Sequence, residues 1–300
     1  MLNAIAFNSL TRVSSTIQSI YRLRQNRIHK FRPKVGVRCE IGPYLLKTVS
    51  NPKELKTALR LRHEVFYGEM IGSLDGSGFD VDEYDFLCDH LIIVHKKTEA
   101  LVGTYRLNSS LFSDHFYSAR EFNLSRILSQ PGNKLELGRA CIHKDYRNGF
   151  TIALLWKGIA EYMTATDSRI LFGCASVKTQ NPREAALLYR HFFEEGRLNP
   201  NYFSPPTLPY VMPGLDFWVR SYKAALTDEE NARVKDLMPP LCRAYMKIGA
   251  SIGGEPAWDA EFKCIDFLTI LRREDINRTL WKRYKLDSGV SPESSSSSAS

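Results

Sequence analysis

Two charged clusters in this chain contain the side chains that could bind an amine and remove its proton. Asp80, Asp82 and Asp85 form the first cluster, and the second is the pair Glu136 and Arg139 within an apolar run. Burying a charge costs free energy, so charged residues in a buried strand need a partner or a chemical task. Because strand side chains alternate between two faces, Glu136 and Arg139 are predicted to point into different clefts. Such a strand would hold an amine on one side and an anion on the other.

The elements that position these clusters are predicted from hydrophobic patterning. Apolar residues at helical spacing predict helices, and short apolar runs bounded by polar turns predict strands. The predicted elements in chain order are a helix over 53–67, a hairpin of strands 91–94 and 100–107, a strand over 135–142, a helix over 152–163, a strand over 169–177 and a helix over 183–195. This order indicates an α/β or α+β fold with a mixed central sheet flanked by helices.

The rest of the chain divides by composition. Residues 41–200 are predicted to form the core, and residues 201–286 an addition that completes the sheet and walls a cleft. Within that addition, a helical stretch over 228–252 is interrupted at Pro239-Pro240, and a final strand is predicted over 264–271. The serine-rich tail over 287–300 is predicted to be disordered.

Short motifs in order along the chain resemble two branches of the GNAT acyltransferase fold that take acyl groups from acyl carrier protein. The acyl-homoserine lactone synthase pattern is matched by LRHEVF from residue 61, DxDxYD from 80, GxxRL from 103 and ExxR from 136. The ornithine N-acyltransferases of ornithine-lipid synthesis are resembled more closely, through CDHL from 88, ELGR from 136, LLWxG from 154, LFGCAS from 171 and GEPAWD from 254. This second resemblance spans residues 44–284 and implies a GNAT-like sheet with a C-terminal addition.

N-acyl transfer requires a deprotonated amine, and the resemblance assigns that task to Glu136. A free α-amine, with a reference pKa of about 8, is mostly protonated near neutral pH. A carboxylate acting through a water molecule can take that proton and contribute roughly 10²–10⁴-fold to the rate. The alternative is a structural ion pair between Glu136 and Arg106 or Arg139.

The acidic cluster and Arg106 are predicted to bind the substrate amine. Three carboxylates at Asp80, Asp82 and Asp85 could recognise a cationic amino acid, while Arg106 could pair with them or with the substrate carboxylate. The spacing does not continue as an EF-hand calcium loop. A solvated acidic loop is the remaining alternative.

The acyl-donor site is predicted to contain Arg139, Arg147 and Gly149. Coenzyme A-dependent GNAT enzymes usually have a glycine-rich loop where this strand gives way to a helix, so that backbone N–H groups hold the pyrophosphate. Only Arg147 and Gly149 remain of that loop here. The reduced loop favours the single phosphodiester of acyl-phosphopantetheine on acyl carrier protein, an acidic partner that basic residues would steer.

The net charge of +8 lies entirely in the first 47 residues, which carry nine Lys and Arg against the single acid Glu40. Apolar residues recur every three or four positions from Leu2 to Tyr21, which predicts a helix able to lie on an anionic bilayer. We therefore predict a basic amphipathic arm over 1–40 that contacts the membrane surface through residues 1–38. A helix packed on the body, or a disordered arm, is the alternative. Nucleic acid is not expected as a partner, since zinc-finger, helix-turn-helix and RNP signatures are missing.

The six cysteines have no metal-ligand spacing, and neither have the histidines, so no metal and no resident cofactor are expected. Unpaired thiols indicate a reducing compartment. Cys141 and Cys174 could form an acyl-cysteine intermediate, but a role as small buried hydrophobic residues is favoured. With no signal peptide and no run of roughly 18 apolar residues, the predicted location is cytoplasmic, peripheral on the inner face of the membrane.

Together these features predict an N-acyltransferase. The resemblance implies transfer of a (3-hydroxy)fatty acyl group from acyl carrier protein to the α-amine of ornithine, the first step of ornithine-lipid synthesis. Two catalytic alternatives stay open: a lactone synthase that uses S-adenosylmethionine, and acylation of glycine, lysine or glutamine. A non-catalytic acyl-carrier or membrane-binding module is the alternative of another class, against which the presence of both Glu136 and Arg139 argues.

Overall fold

A computed structural model describes residues 27–74 and 77–279 of the chain. Most of the predicted basic arm and the whole serine-rich tail lie outside the described residues, so those predictions stay predictions. Within the described ranges, no helix combines the length and the apolar composition that crossing a bilayer requires.

The described residues form a nine-stranded sheet in the order β1-β2-β3-β4-β5-β6-β9-β7, with β8 also paired to β9. Every neighbouring pair is antiparallel except β5 with β6. The strands are β1 (Arg38–Ile41), β2 (Tyr44–Thr48), β3 (Asp89–His95), β4 (Leu101–Ser109), β5 (Asn133–Ile142), β6 (Ser168–Val177), β7 (Ser251–Ile252), β8 (Ala257–Asp259) and β9 (Cys264–Arg272). The predicted mixed sheet and its hairpin are confirmed.

Helices cover both faces of this sheet. Residues 27–30 are helical, and the further α-helices of the described residues are α1 (Pro52–His63), α2 (Ser125–Leu128), α3 (Gly149–Ala165), α4 (Pro182–Glu194), α5 (Leu215–Ser221), α6 (Asp228–Leu237) and α7 (Pro240–Ile248). Successive side chains of β3 point to opposite faces of the sheet, so the hydrophobic core has a part on each face. Ile92 packs with α1 on one face, and Leu91 packs with α3 on the other. Gly158 permits this close packing, since a Cβ there would lie 2.6 Å from a methyl of Leu91.

A β-bulge in β5 brings Arg139 to the same side of the sheet as Glu136, so the predicted placement on opposite faces is wrong. Between the pairs that Thr104 and Arg106 form with β5, two residues of β5 face one residue of β4. Arg139 is the first of these two and has a φ of 50°, in the left-handed region. Its guanidinium lies 4.8 Å from the ring centroid of Tyr117, whose backbone N–H donates to Glu136. The extra residue breaks the alternation on which the prediction rested.

The parallel strands β5 and β6 pair only as far as Glu136 with Phe172, although both strands continue. Close approach at this point depends on Gly173, because a Cβ there would lie 2.1 Å from the carbonyl oxygen of Leu137. Beyond Gly173, β6 continues to pair with β9 on its other side. The parting of β5 from β6 opens the space that forms the candidate site.

The predicted helix over 53–67 exists but changes character along its length. It is α-helical only to His63 and continues as a π-helical segment, Glu64–Ile71, that ends at Gly72 with a φ of 76°. Helical segments of this wide type are rare and occur frequently at functional sites.

The C-terminal region contributes the strands β7, β8 and β9 to the sheet. The helical stretch expected over 228–252 is two helices, α6 and α7, which are separated at Pro239 and end at Gly249. Ser251 and Ile252 are a short strand and not the end of a helix, because Gly249 adopts a left-handed conformation that terminates α7. Strand β9 pairs with β6 along most of its length.

Candidate active site

A cavity of about 330 Å³ lies where β5 and β6 part. Its walls come from β4 and the loop after it, from β5, from β6, from the β8–β9 hairpin, from α7 and from the π-helical segment. Residues that carry its chemistry are Tyr117, Glu121, Glu136, Arg139, Tyr245 and Asp266. Ionisable and aromatic groups from four separate parts of the chain therefore meet in one space.

Glu136 is the predicted base, and the structure places it in the wall of this cavity. It is almost fully buried, and its two carboxylate oxygens accept the backbone N–H groups of Tyr117 at 2.9 Å and Ser118 at 2.7 Å. Burial raises the pKa of Glu136, while the N–H groups of Ser118 and Tyr117 oppose that rise. Among the described residues Glu136 forms no ion pair, so the predicted structural alternative with Arg106 or Arg139 is not the arrangement found.

The aspartates of the acidic cluster are paired with arginines. Arg62, which is fully buried, contacts Asp80 at 2.7 Å and Asp85 at 2.6 Å. Arg106 contacts Asp82 at 2.6 Å and Asp85 at 3.1 Å. Although burial alone would raise the pKa of Asp85, the guanidiniums of Arg62 and Arg106 hold it far below its usual range.

Arg139 is the third guanidinium of this network. It lies 3.3 Å from Asp80 and 3.3 Å from Asp82, and it also faces the rings of Tyr117 and Phe262. The carboxylates thereby fix the orientation of a cation that lines the cavity. Asp80 and Asp82 do not line it themselves.

The structure therefore brings the predicted amine-binding residues together but aims their carboxylates at arginines. Asp80, Asp82 and Asp85 lie behind Arg106 and Arg139, which do line the cavity. Their part in amine binding stays a prediction. Arg62 was not predicted, although its position seven residues after Leu55, on the apolar face of a helix, is a sequence signal for a buried, paired cation.

A second group of carboxylates lines the same cavity. Glu121, Asp259 and Asp266 are each at most 5% exposed, and none forms an ion pair among the described residues. Asp266 accepts the hydroxyl of Ser176 at 2.6 Å. Burial, with the neighbouring Asp259, raises the pKa of Asp266 to about 6, and burial beside Asp266 raises the pKa of Glu121 well above its usual range.

Sequence reasoning missed this second group. Asp266 carries a signal, because it is the one acid in the apolar strand β9. Asp259 ends the GEPAWD motif, but nothing in the pattern separates a site residue from a turn residue there. Glu121 lies in a loop whose sequence has no periodicity, and only the fold brings it to the cavity.

Stability should fall with rising pH because of Asp266. Its pKa lies above the usual value of 3.8, so the folded state binds a proton more tightly than the unfolded chain, and this contribution is lost between about pH 4 and pH 6. The Asp266→Asn variant should lack this loss and be more stable at pH 7.5 by about 1–3 kcal/mol. Urea unfolding of both proteins from pH 4 to pH 8 measures the difference. Parallel stability curves would contradict the assignment.

A larger cavity, of about 710 Å³, lies at the end of β5 beside the N-terminus of α3. It contains two of the predicted donor-site residues, Arg147 and Gly149. Arg147 donates to the carbonyl of Ile142 at 3.0 Å and contacts Glu69 at 2.7 Å, while Asn148 caps α3 through the N–H of Thr151. Its floor is apolar, and Arg243 and Lys247 of α7 stand at its edge.

Arg139, the third predicted donor-site residue, lines the smaller cavity and not the larger one. The two cavities share Ala140, Pro239 and Leu241, so they adjoin across the end of β5. A thioester held in the larger cavity could therefore present its carbonyl to the smaller one. The role of Arg139 in acyl-donor binding stays a prediction.

The chain resembles known proteins over most of its length. Residues 61–157 match a family model described as an acetyltransferase (GNAT) domain. The L-ornithine N(alpha)-acyltransferase of Agrobacterium fabrum is 30% identical over 250 residues, which cover 79% of this chain and 83% of that protein. The protein of the same name from Rhizobium meliloti is 30% identical over 252 residues, with coverage of 79% and 82%.

Among solved structures, a CoA-dependent acyl-homoserine lactone synthase with bound SAM and isopentyl-CoA is similar with a TM-score of 0.41 and 15% identity, over 78% of this chain and 83% of that one. That likeness is too distant to bear on function. The two sequence relatives are similar enough, over enough of both chains, to decide the family. This chain belongs to the L-ornithine N(alpha)-acyltransferase family of GNAT-fold acyltransferases.

Proposed function

We propose that this acyltransferase moves a 3-hydroxylated fatty acyl group from acyl carrier protein to the α-amine of ornithine, as the first step of ornithine-lipid synthesis. Relatives named for ornithine support the acceptor. The observation that carries the proposal is the adjacency of two cavities, one lined by Glu136 and the other by the N-terminus of α3.

In the proposed reaction, Glu136 takes the proton of the α-ammonium, directly or through water. The neutral amine then attacks the thioester carbonyl carbon, a C–N bond forms, the C–S bond breaks, and the departing thiolate takes up a proton. A carboxylate whose pKa is raised by burial suits proton transfer near neutral pH better than an ordinary one. The bulge at Arg139 interrupts the β4–β5 ladder, and backbone N–H groups freed there would stabilise the carbonyl oxygen as it becomes negative.

The larger cavity would hold the acyl-phosphopantetheine arm. The N-terminus of a helix favours a phosphate through its free N–H groups and its dipole, and α3 presents Gly149 at that point. Arg147, Arg243 and Lys247 line the same cavity and would attract the acidic carrier protein. The N-terminal arm would add contact with the inner face of the membrane, which co-sedimentation of the full chain with anionic vesicles tests.

A mass-spectrometric turnover assay tests the proposal. The purified full chain is given 3-hydroxyacyl carrier protein with ornithine, lysine, glycine, glutamine or S-adenosylmethionine in separate reactions, and acyl coenzyme A serves as a parallel donor. N-acyl-ornithine formed from the carrier-bound donor is the expected product. Product from coenzyme A alone would overturn the donor, product from another amine alone would overturn the acceptor, and no product from any pair would overturn the function.

Replacing Gly149 by alanine should weaken acyl-donor binding without weakening the fold. The added Cβ meets no atom within 4 Å in the protein, so stability should be unchanged or higher by about 0.4–1 kcal/mol. The same Cβ would project where a phosphate has to approach the backbone. We expect the KM for the carrier-bound donor to rise several-fold while the melting temperature does not fall. The matched control is Gly36→Ala, another exposed glycine with no atom within 4 Å, which should leave the KM unchanged.

A further inference from the structure

The cavity beside Glu136 contains a buried carboxyl group, Glu121, that forms no ion pair among the described residues. Glu121 is 1% exposed and lines the cavity, yet its carboxylate has neither a nitrogen nor a hydroxyl donor among the described residues. Its one described contact is the thiol of Cys174, at 3.5 Å. Ionisation of this group without a cation is unfavourable, so a cationic ligand that enters the cavity would be the partner that stabilises its ionised form.

The neighbouring carboxylates make the same wall more acidic. Asp259 and Asp266 line the cavity beside Glu121, and their contacts, with a backbone N–H, a hydroxyl and thiol groups, carry no positive charge. Arg106, Arg139 and Lys178 also line the cavity, but among the described residues none of them forms an ion pair with Glu121, Asp259 or Asp266. Arg139 is shared between Asp80 and Asp82, and its positive charge acts on Glu121 and Asp266 only from a greater distance.

The proton-accepting carboxylate of Glu136 lies close to Glu121. The backbone N–H of Ser118 donates to Glu136 at 2.7 Å, and the hydroxyl of Ser118 is 3.5 Å from the sulfur of Cys174, which in turn contacts Glu121. Glu136 and Glu121 are therefore separated by only two small side chains. A short amino acid with a second positive charge could reach both.

We propose that Glu121, supported by Asp266 and Asp259, binds the side-chain ammonium of the acceptor amino acid, while Arg139 binds its α-carboxylate. This inference rests on the proposed function, and it identifies the residues that would select ornithine among acceptor amino acids. The carboxylates recognise the terminal ammonium, and the α-amine is left beside Glu136. The arginine-paired Asp80, Asp82 and Asp85 then act indirectly, by holding Arg139 in place.

A metal ion is the competing ligand for the same charges. Asp259, Cys264 and Asp266 bring ligand atoms within 4.8 Å of one another. Glu121 is not one of the three, and the one described polar contact of its carboxylate is the thiol of Cys174. An ammonium accounts for Glu121 as well as for the two aspartates, and it does so in the space where the proposed reaction requires a substrate.

The test compares ornithine with 2-aminopentanoate, which has the same carbon chain without the terminal ammonium. Wild-type enzyme should favour ornithine in kcat/KM by at least roughly tenfold, and Glu121→Gln should raise the KM for ornithine roughly 10- to 100-fold while leaving 2-aminopentanoate unchanged or improved. Asp266→Asn should act in the same direction. The matched control, Asp114→Asn, removes a 96% exposed carboxylate from the same β4–β5 connection and should change neither substrate.

Three other outcomes would overturn the inference about Glu121. None of them would contradict the proposed acyl transfer, which has its own test. An equal loss with both substrates would assign Glu121 a structural role. Loss of wild-type activity on chelation, with recovery on adding a divalent metal, would assign the wall to a metal ion. If a variant fails to fold, calorimetric titration of wild-type protein with the two amino acids still decides, because equal affinities would exclude an ammonium site. Failure of the proposed function would instead appear as no acylated product from either amino acid.

Discussion

Replacing Glu136 by glutamine is expected to lower kcat by roughly 10²–10⁴-fold, the contribution that general-base catalysis usually makes. Glutamine keeps the shape of the side chain and one acceptor oxygen, but it cannot take a proton from the amine. One of the two N–H groups of Tyr117 and Ser118 would lose its acceptor, which should cost about 1–3 kcal/mol of stability. Turnover of the folded variant, measured by mass spectrometry at saturating substrate, checks the prediction.

The pH dependence gives a second readout of the same residue. Since burial raises the pKa of Glu136, the active, ionised form is lost at a higher pH than for an exposed glutamate. In the wild-type enzyme kcat should fall as the pH falls through that raised pKa, and the Glu136→Gln variant should lack this limb. Glu261→Gln, at an exposed turn residue, is the control. Normal turnover by Glu136→Gln would mean that Glu136 only holds the loop that contains Tyr117 and Ser118.

Replacing Arg62 by methionine is expected to destabilise the fold by about 3–5 kcal/mol, since removing one partner leaves buried charges uncompensated. Asp80 would retain only Arg139, and Asp85 would retain only Arg106. Urea unfolding measures the change.

The matched control is Arg60→Met in the same helix. Arg60 is exposed and lies over the ring of Phe79, a contact worth about 0.5–1 kcal/mol. A loss for Arg62→Met no larger than for Arg60→Met would show that the network does not depend on its innermost guanidinium. If the fraction of Arg62→Met protein that folds has a normal KM for ornithine, Arg62 contributes to stability and not to ornithine binding.

Sequence patterning predicted the sheet well because its strands are short apolar runs with clear turns. The hairpin of β3 and β4, the strands β5 and β6 and the closing strand β9 all lie within a few residues of their predicted positions. Sequence patterning failed where the backbone departs from the regular two-residue period of a strand. One extra residue at Arg139 reversed the predicted face of that side chain, and no composition rule reveals a bulge.

The sequence predicted several residues of the candidate site, but it did not predict which partners those residues contact. Glu136 and Arg139 line one cavity, whereas the sequence predicted that they point into different clefts. The pairing of the three aspartates with arginines could not be foreseen, because Arg62 reaches them from a helix about twenty residues earlier in the chain. Glu121 could not be found at all, since its surroundings are made by residues from distant strands.

The π-helical segment after α1 has a consequence for how the two cavities stay separate. Phe66 and Met70 line the smaller cavity, while Val65 and Glu69 line the larger one. Because a π-turn contains more residues than an α-turn, the segment amounts to a one-residue insertion absorbed within a helix. Deleting that residue would rewind the helix and rotate each of these side chains toward its neighbour's compartment. The π-helical geometry of this segment therefore decides which of the two cavities each of these side chains lines.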